Sequence, residues 1–180
     1  MFIECFHGTS QDRASSILEN GFLASNRDGL WIGPGRYFFQ EAPGHAIDWA
    51  RFKGDMKGQA PAVFKAKVTL NGCLDLLDNG HWEGMKALYE MSQTKAPRAQ
   101  PSLLEYLRDT DKAIIRHYDD DWLIRLYIKS LQRLGRKVWS VRCSIPEGNP
   151  VFENSWLLDK SCVMVNVLEP DAIVDYELVV

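Results

Sequence analysis

Cys5-Phe6-His7-Gly8-Thr9-Ser10 and, a helix and a turn later, Gly33-Pro34-Gly35-Arg36-Tyr37-Phe38-Phe39 are the two stretches that decide how this sequence is read. The run from Phe2 to Phe6 is short, apolar and aromatic, which suits a strand, and His7-Gly8 ends it. The second stretch is a glycine-rich turn leading into a short strand with a Tyr-Phe pair. Read together, they suggest a slot in which the His7 imidazole and the Tyr37 phenol face each other around a flat, amide-bearing ring. A Gly8 N–H and C=O left open would complement a primary carboxamide, and an imidazole can hydrogen-bond a sugar hydroxyl. The plainer alternatives are that His7 caps the next helix or sits in the core, and that Tyr37 and Phe38 are core strand residues.

Outward from these stretches the chain reads as short strands with a few helices between them. Thr9 with Asp12 reads as an N-cap and capping acid, and Ala14, Ile17 and Leu18 then share a helical face that Asn20-Gly21 terminates. Phe22 and Leu23 are expected to drop into the core. Residues 25–30 read as loop. Pro43 suits the first turn of a second helix, with Ala46, Trp49 and Ala50 as its inner stripe and Gly54 to Pro61 as a linker. Val63, Phe64, Ala66, Val68 and Leu70 then mark a strand, Asn71-Gly72 a turn, and Cys73 to Leu77 a further short apolar segment.

Residues 79–137 are richer in Leu, Tyr, Lys, Arg and Asp and predict three helices: one with Trp82, Met85, Leu88 and Tyr89, one with Leu103, Leu104 and Leu107, and one from Trp122 to Leu134. A Pro-containing break spans 96–101. Strands return at 138–143, 162–168 and 173–179, with a rigid Pro146-Glu147-Gly148-Asn149-Pro150 turn between the first two. This order predicts an α+β fold: one domain over 1–180, a mainly antiparallel sheet, no β-α-β alternation, and 79–137 as a helical insertion.

The chain has 180 residues, 46% apolar and 25% charged, which suits one domain with a real core. A net charge of -3 gives no footprint for non-specific nucleic-acid binding. Arg125, Lys129, Arg133, Arg136 and Lys137 read as a solvated helix face beside Asp119-Asp120-Asp121, with an acidic target such as tRNA as the lesser alternative. Cys5, Cys73, Cys143 and Cys162 are scattered, with no ligand-spaced His, so reduced thiols on strands and no metal site are expected. Neither a signal peptide nor a membrane span is visible, which points to a cytoplasmic protein without membrane contact. Gly33-Pro34-Gly35 is neither a dinucleotide fingerprint nor a Walker loop, since a strand follows it and no Gly-Lys-Ser/Thr does.

Phe6-His7-Gly8-Thr9-Ser10, the helix ending in Asn20-Gly21-Phe22, and Gly33-Pro34-Gly35-Arg36-Tyr37-Phe38 with Ala46 and Trp49 behind resemble the poly(ADP-ribose) polymerase-like branch of the ADP-ribosyltransferases, marked by a His-Tyr-Glu triad. The resemblance is good over residues 3–52, looser through 63–78 and the last strands, and does not cover the helical insertion. It implies a split, mainly antiparallel sheet holding NAD in a groove. His7 would contact the ribose next to nicotinamide, the Gly8 backbone the carboxamide, and Tyr37 would stack on the ring. Thr9, Gly35 and Phe38 would line the same site. His45 stands where the family often has a small hydroxyl residue, and Trp49 stands near its second stacking aromatic. Aligning Glu169-Pro170-Asp171 with the family's late turn puts Met164 at the glutamate position. Glu147 is the first substitute acid, ahead of Asp159 and Glu153. The implied activity is a metal-free, NAD-dependent mono-ADP-ribosyl transfer, toxin- or effector-like. It would act on an unknown protein or nucleic-acid acceptor, and an antitoxin is a conceivable partner. The alternatives are a non-catalytic NAD- or ADP-ribose-binding module and an NAD glycohydrolase.

Overall fold

A computed structural model of the chain describes residues 1–26, 30–56, 58–95 and 112–180. Its strands are β1 (Phe2–Ser10), β2 (Arg36–Gln40), β3 (Pro61–Thr69), β4 (Cys73–Asp75), β5 (Ser140–Ile145), β6 (Cys162–Val167) and β7 (Ile173–Leu178). Its helices are α1 (Gln11–Asn20), α2 (Pro43–Asp55), α3 (Trp82–Lys95) and α4 (Lys112–Arg133). The strands form one seven-stranded sheet in the order β4-β5-β6-β2-β1-β3-β7. Every neighbouring pair is antiparallel except β4 and β5, which run parallel. A parallel pair needs a crossover, and here α3 and α4 lie between the two strands in the chain. The sheet is thus mainly antiparallel, as expected, and this one β-α-β-like step departs from the expectation of no β-α-β alternation.

The sheet coils strongly. Only Leu70, Asn71 and Gly72 join β3 to β4, so Thr69 and Cys73 can be at most about 15 Å apart. In a flat sheet five inter-strand gaps would separate those strands by about 24 Å. The coil brings Cys5 within electrostatic reach of Arg142 and Cys73, on strands three and four places away. Burial, then the nearby Glu41 charge, pushes the Cys5 thiol up to about 12.

Strand alternation sorts the core into two faces. On one, Ile3, Cys5, Phe38, Phe64, Ala66, Val68, Val165 and Val167 pack with Ala14 and Ile17 of α1 and with Phe22. On the other, Phe6 and Val63 meet Ala46 and Ala50 of α2. Further along that second face, Val141, Ile145, Cys162 and Met164 meet Met85 of α3 and Ile124, Ile128 and Leu131 of α4.

Several local expectations change. Ser10, not Thr9, is the N-cap of α1, because β1 runs through Thr9 and buries it. Leu18 is exposed at 56%, since α1 spans only ten residues and buries just Ala14 and Ile17, and Leu23, past the end of the helix, is exposed at 76%. Gly21 ends α1 at φ 73, and its N–H donates to the Ile17 carbonyl. The helix expected around Leu103 and the Pro-containing break at 96–101 lie outside the described residues. The four cysteines are free and lie on β1, β4, β5 and β6. No helix among the described residues is long and apolar enough to cross a membrane.

Candidate functional site

The site begins where β1 and β2 part. Their ladder pairs Cys5 with Gln40 and Phe6 with Phe39, and registers no further rung toward His7 and Gly8. β1 meanwhile stays paired with β3 through Ser10. The Glu41 N–H donates to the Glu4 carbonyl. By alternation, the backbone groups of Glu4, Phe6 and Gly8 therefore face β2. The same conclusion follows from β3, where the N–H and C=O of Val63, the partner of Gly8, are directed to Val180 and Val179. Gly8 thus turns its N–H and C=O toward β2 at a point where β2 has left the ladder.

His7 holds the fork open. Its Nδ1 lies 2.8 Å from the Tyr37 carbonyl oxygen. A carbonyl only accepts, so Nδ1 carries the proton and Nε2 is left as the acceptor of a neutral ring. That carbonyl is the one a further rung would have offered to the Gly8 N–H. The imidazole sits edge-on to Phe22 at 5.2 Å and tilted against Phe38 at 5.5 Å. Burial in this aromatic setting lowers its pKa below 6.5, outweighing the Tyr37 hydrogen bond, which acts in the opposite direction.

Gly8 has a second reason to be glycine. A Cβ there would lie 2.0 Å from the Ala46 carbonyl oxygen and 2.9 Å from the Ala50 nitrogen, so α2 rests directly on the strand. Close packing accounts for the absence of a side chain, and the fork accounts for the direction of the backbone groups.

Tyr37 does not face His7. It is the Cα partner of Asn166 and lies on the opposite face from Phe38 and His7. Its hydroxyl donates to the Gly33 carbonyl at 2.5 Å and accepts from the Ile32 N–H at 3.2 Å. Asn166, fully buried, donates through Nδ2 to the carbonyls of Ile32, Gly33 and Pro34 at 2.9, 3.1 and 3.1 Å. Gly35 (φ 153) closes over it, since a Cβ there would meet Asn166 Oδ1 at 2.0 Å. α4 backs the turn from outside: a Cβ on Gly33 would lie 3.8 Å from Ile124 Cγ2 and 4.0 Å from Asp121 Oδ1. Asp121 is itself buried and pairs with Arg125 Nε at 2.7 Å. The phenol therefore ties down the turn that precedes its own strand.

The other sequence candidates scatter around this fork. Thr9 and Phe38 are buried. His45 stands beside Phe39, with ring centroids 5.8 Å apart, and its Nε2 is buried without a partner. Trp49 points outward, 40% exposed, against Phe52 and under Lys53 Nζ. Met164 is buried opposite Phe39 and Cys143, among the α3 and α4 contacts. Glu147 is exposed past the end of β5, six residues beyond Val141, which shares a rung with Asn166. Six residues are about 20 Å of strand, directed away from Tyr37. Glu153 and Asp159 lie exposed in the same connection. The fold does not bring Glu147 and Tyr37 together. Asn166 and Asp121 were missed by sequence reasoning. An Asn inside the apolar run Val163–Leu168 was the available signal, because a polar residue in a buried strand must find partners.

Lys129, Arg133, Arg136 and Lys137 are exposed. A groove of about 530 Å³ crosses β1, β3 and β7 between Glu4, Lys65, Lys67, Asp175 and Glu177. It lies toward the opposite end of β1 from Gly8, and Lys65 is already paired with Glu4 at 2.7 Å. Among the described residues no three His, Cys, Asp or Glu side chains converge as metal ligands would. No family model, curated protein or solved structure matches the chain.

Proposed function

We propose that this protein is an NAD-dependent mono-ADP-ribosyltransferase with an ADP-ribosyltransferase-like fold, and that the β1–β2 fork receives the nicotinamide end of NAD. The observation that supports the reading is the broken ladder, which turns the Gly8 N–H and C=O toward β2 where no rung forms, next to an imidazole whose free nitrogen accepts. A primary carboxamide complements that N–H and C=O pair, and a ribose hydroxyl donates to His7 Nε2. In the reaction the bond between the ribose C1′ and the nicotinamide nitrogen breaks, and its electron pair leaves with nicotinamide. The oxocarbenium-like ribosyl centre is then captured by the acceptor. Tyr37 serves this site through the turn and through its carbonyl, which fixes the His7 tautomer. The test is nicotinamide release from NAD together with transfer of labelled ADP-ribose to a macromolecule. No release by the wild type, with no effect of His7→Phe on NAD binding, would defeat the proposal.

A specific observation favours a second reading. Met164, aligned with the triad glutamate, is buried and apolar, and Glu147 lies beyond the far end of β5. A fork without a carboxylate holds NAD but does not stabilise an oxocarbenium ion, which describes a binding module. Calorimetry showing NAD binding without nicotinamide release selects this reading. Release of free ADP-ribose without labelled product selects a glycohydrolase.

A further inference from the structure

The charge of this chain is segregated. Residues 122–137 hold five Lys or Arg and no Asp or Glu, whereas the whole chain carries 21 basic and 24 acidic residues. The five lie along α4 and just beyond it. Arg125, Lys129 and Arg133 are spaced four apart, so they follow one another along one side of the helix at steps of about 6 Å. Another side of α4 is fixed, because Ile124, Ile128 and Leu131 are buried in the core. Gly135 turns the chain at φ 78, and the Arg136 N–H donates back to the Leu131 carbonyl at 3.0 Å. Arg136 and Lys137 are thereby held at the end of the row, before Val138 re-enters the core.

Lys129, Arg133, Arg136 and Lys137 are exposed, and none of the four has an ion pair among the described residues. The helix dipole favours a cation such as Arg133 in the last turn, but its reach is about one turn, and the row begins two turns earlier. We propose that this row docks the phosphate backbone of a nucleic acid. Arg presents a fork of donors that matches a phosphate, and evenly spaced cations suit a polyanion. A protein partner needs a desolvated apolar centre, and the only exposed apolar side chain from 125 to 137 is Leu134. A bilayer surface needs an apolar helix face beside the cations, which the row lacks for the same reason. The row begins beside the candidate site. Arg125 Nε pairs with Asp121 Oδ1 at 2.7 Å, and that oxygen lies 4.0 Å from where a Cβ on Gly33 would stand, in the turn ahead of Tyr37. A strand lying on the row thus has one end next to the turn that leads to the β1–β2 fork. Docking requires no NAD, so it stands or falls apart from the activity proposed above.

Fluorescence anisotropy of labelled single-stranded RNA, single-stranded DNA and duplex DNA, each about 20 nucleotides long, titrated with the full chain, tests this. The three probes show whether the sugar or the strandedness matters beyond the shared phosphates. The expected result is binding of at least one probe at about 10 μM in about 50 mM salt, weakened at least about tenfold by about 200 mM salt. Lys129→Gln/Arg133→Gln weakens binding at least about tenfold and lowers the salt slope by about 2. Lys65→Gln/Lys67→Gln, which removes the same charge from β3, leaves both unchanged. Circular dichroism and thermal melts verify that the double variants are folded, and Arg136→Gln/Lys137→Gln, outside the helix, serves if the first is not. No binding of any probe up to about 100 μM overturns the inference, as does a loss no greater in the α4 variant than in the β3 variant. Tighter binding of poly-glutamate or of phosphatidylserine vesicles than of every oligonucleotide also overturns it, in favour of an acidic protein or a membrane.

Discussion

The two sides of the β1–β2 fork use similar residues for different ends. On one side His7 gives its proton to the Tyr37 carbonyl and keeps a nitrogen lone pair unspent. On the other, Tyr37 commits its hydroxyl twice to its own turn, and Asn166 shares the two N–H groups of its amide among three carbonyls of the same turn. The first side keeps polar capacity in reserve next to an unpaired strand edge. The second directs its N–H and O–H groups inward, with Asn166 Oδ1 left buried and unpartnered, and serves to hold the fork in place. Two side chains at one fork can therefore divide into a ligand-facing group and a scaffold group.

Substitutions that remove the shared scaffold should have the largest effects. Gly8→Val drives a side chain into the Ala46 carbonyl and should displace α2, lowering stability by about 3 kcal/mol in urea unfolding. A variant of wild-type stability would mean that α2 does not rest on β1. Next, Asn166→Leu strips the donor from three carbonyls and should cost about 2 kcal/mol by the same measurement. The contrast between the two sides is sharpest in a matched pair. Tyr37→Phe should lose about 1 kcal/mol of stability, because the Ile32 N–H and Gly33 carbonyl lose their partner, and should leave NAD affinity nearly intact. His7→Phe keeps the packing against Phe22 and Phe38 but removes both nitrogens, and should weaken NAD binding by about tenfold in calorimetry. Equal loss of affinity in the two variants would erase the distinction drawn above.

The smallest effect concerns acid. Because the folded-state pKa of His7 is lowered, the unfolded chain binds a proton in the window from 6.5 down to that lowered value, while the folded chain does not. Stability should be level above that window and fall as the pH drops through it. His7→Phe should flatten this slope in thermal melts, and an unchanged slope would assign it to another group.

Much of the secondary structure could be read from sequence because it depends on local rules. The alternation of Val63 to Val68 marked β3, Gly21 marked the end of α1, and Asn71-Gly72 marked the turn into β4. Residue type places Trp49 in the core, yet it lies outside, because Ala46 and Ala50 already bring α2 tight against β1. Nor could the fate of Glu147 be seen, because it depends on which end of β5 faces the fork.

The amino-acid order by itself marked which segments are strands and where the chain must turn, although β1 runs on through Ser10, past the stop expected at His7-Gly8. These properties rest on side-chain period, proline and positive φ, which act within a few residues. Only the assembled sheet decided that imidazole and phenol take opposite faces, that the ladder gives out beside Gly8, and that Asn166 anchors the turn. Pairing register decides the face of every side chain on a strand, and register is settled between segments far apart in the chain.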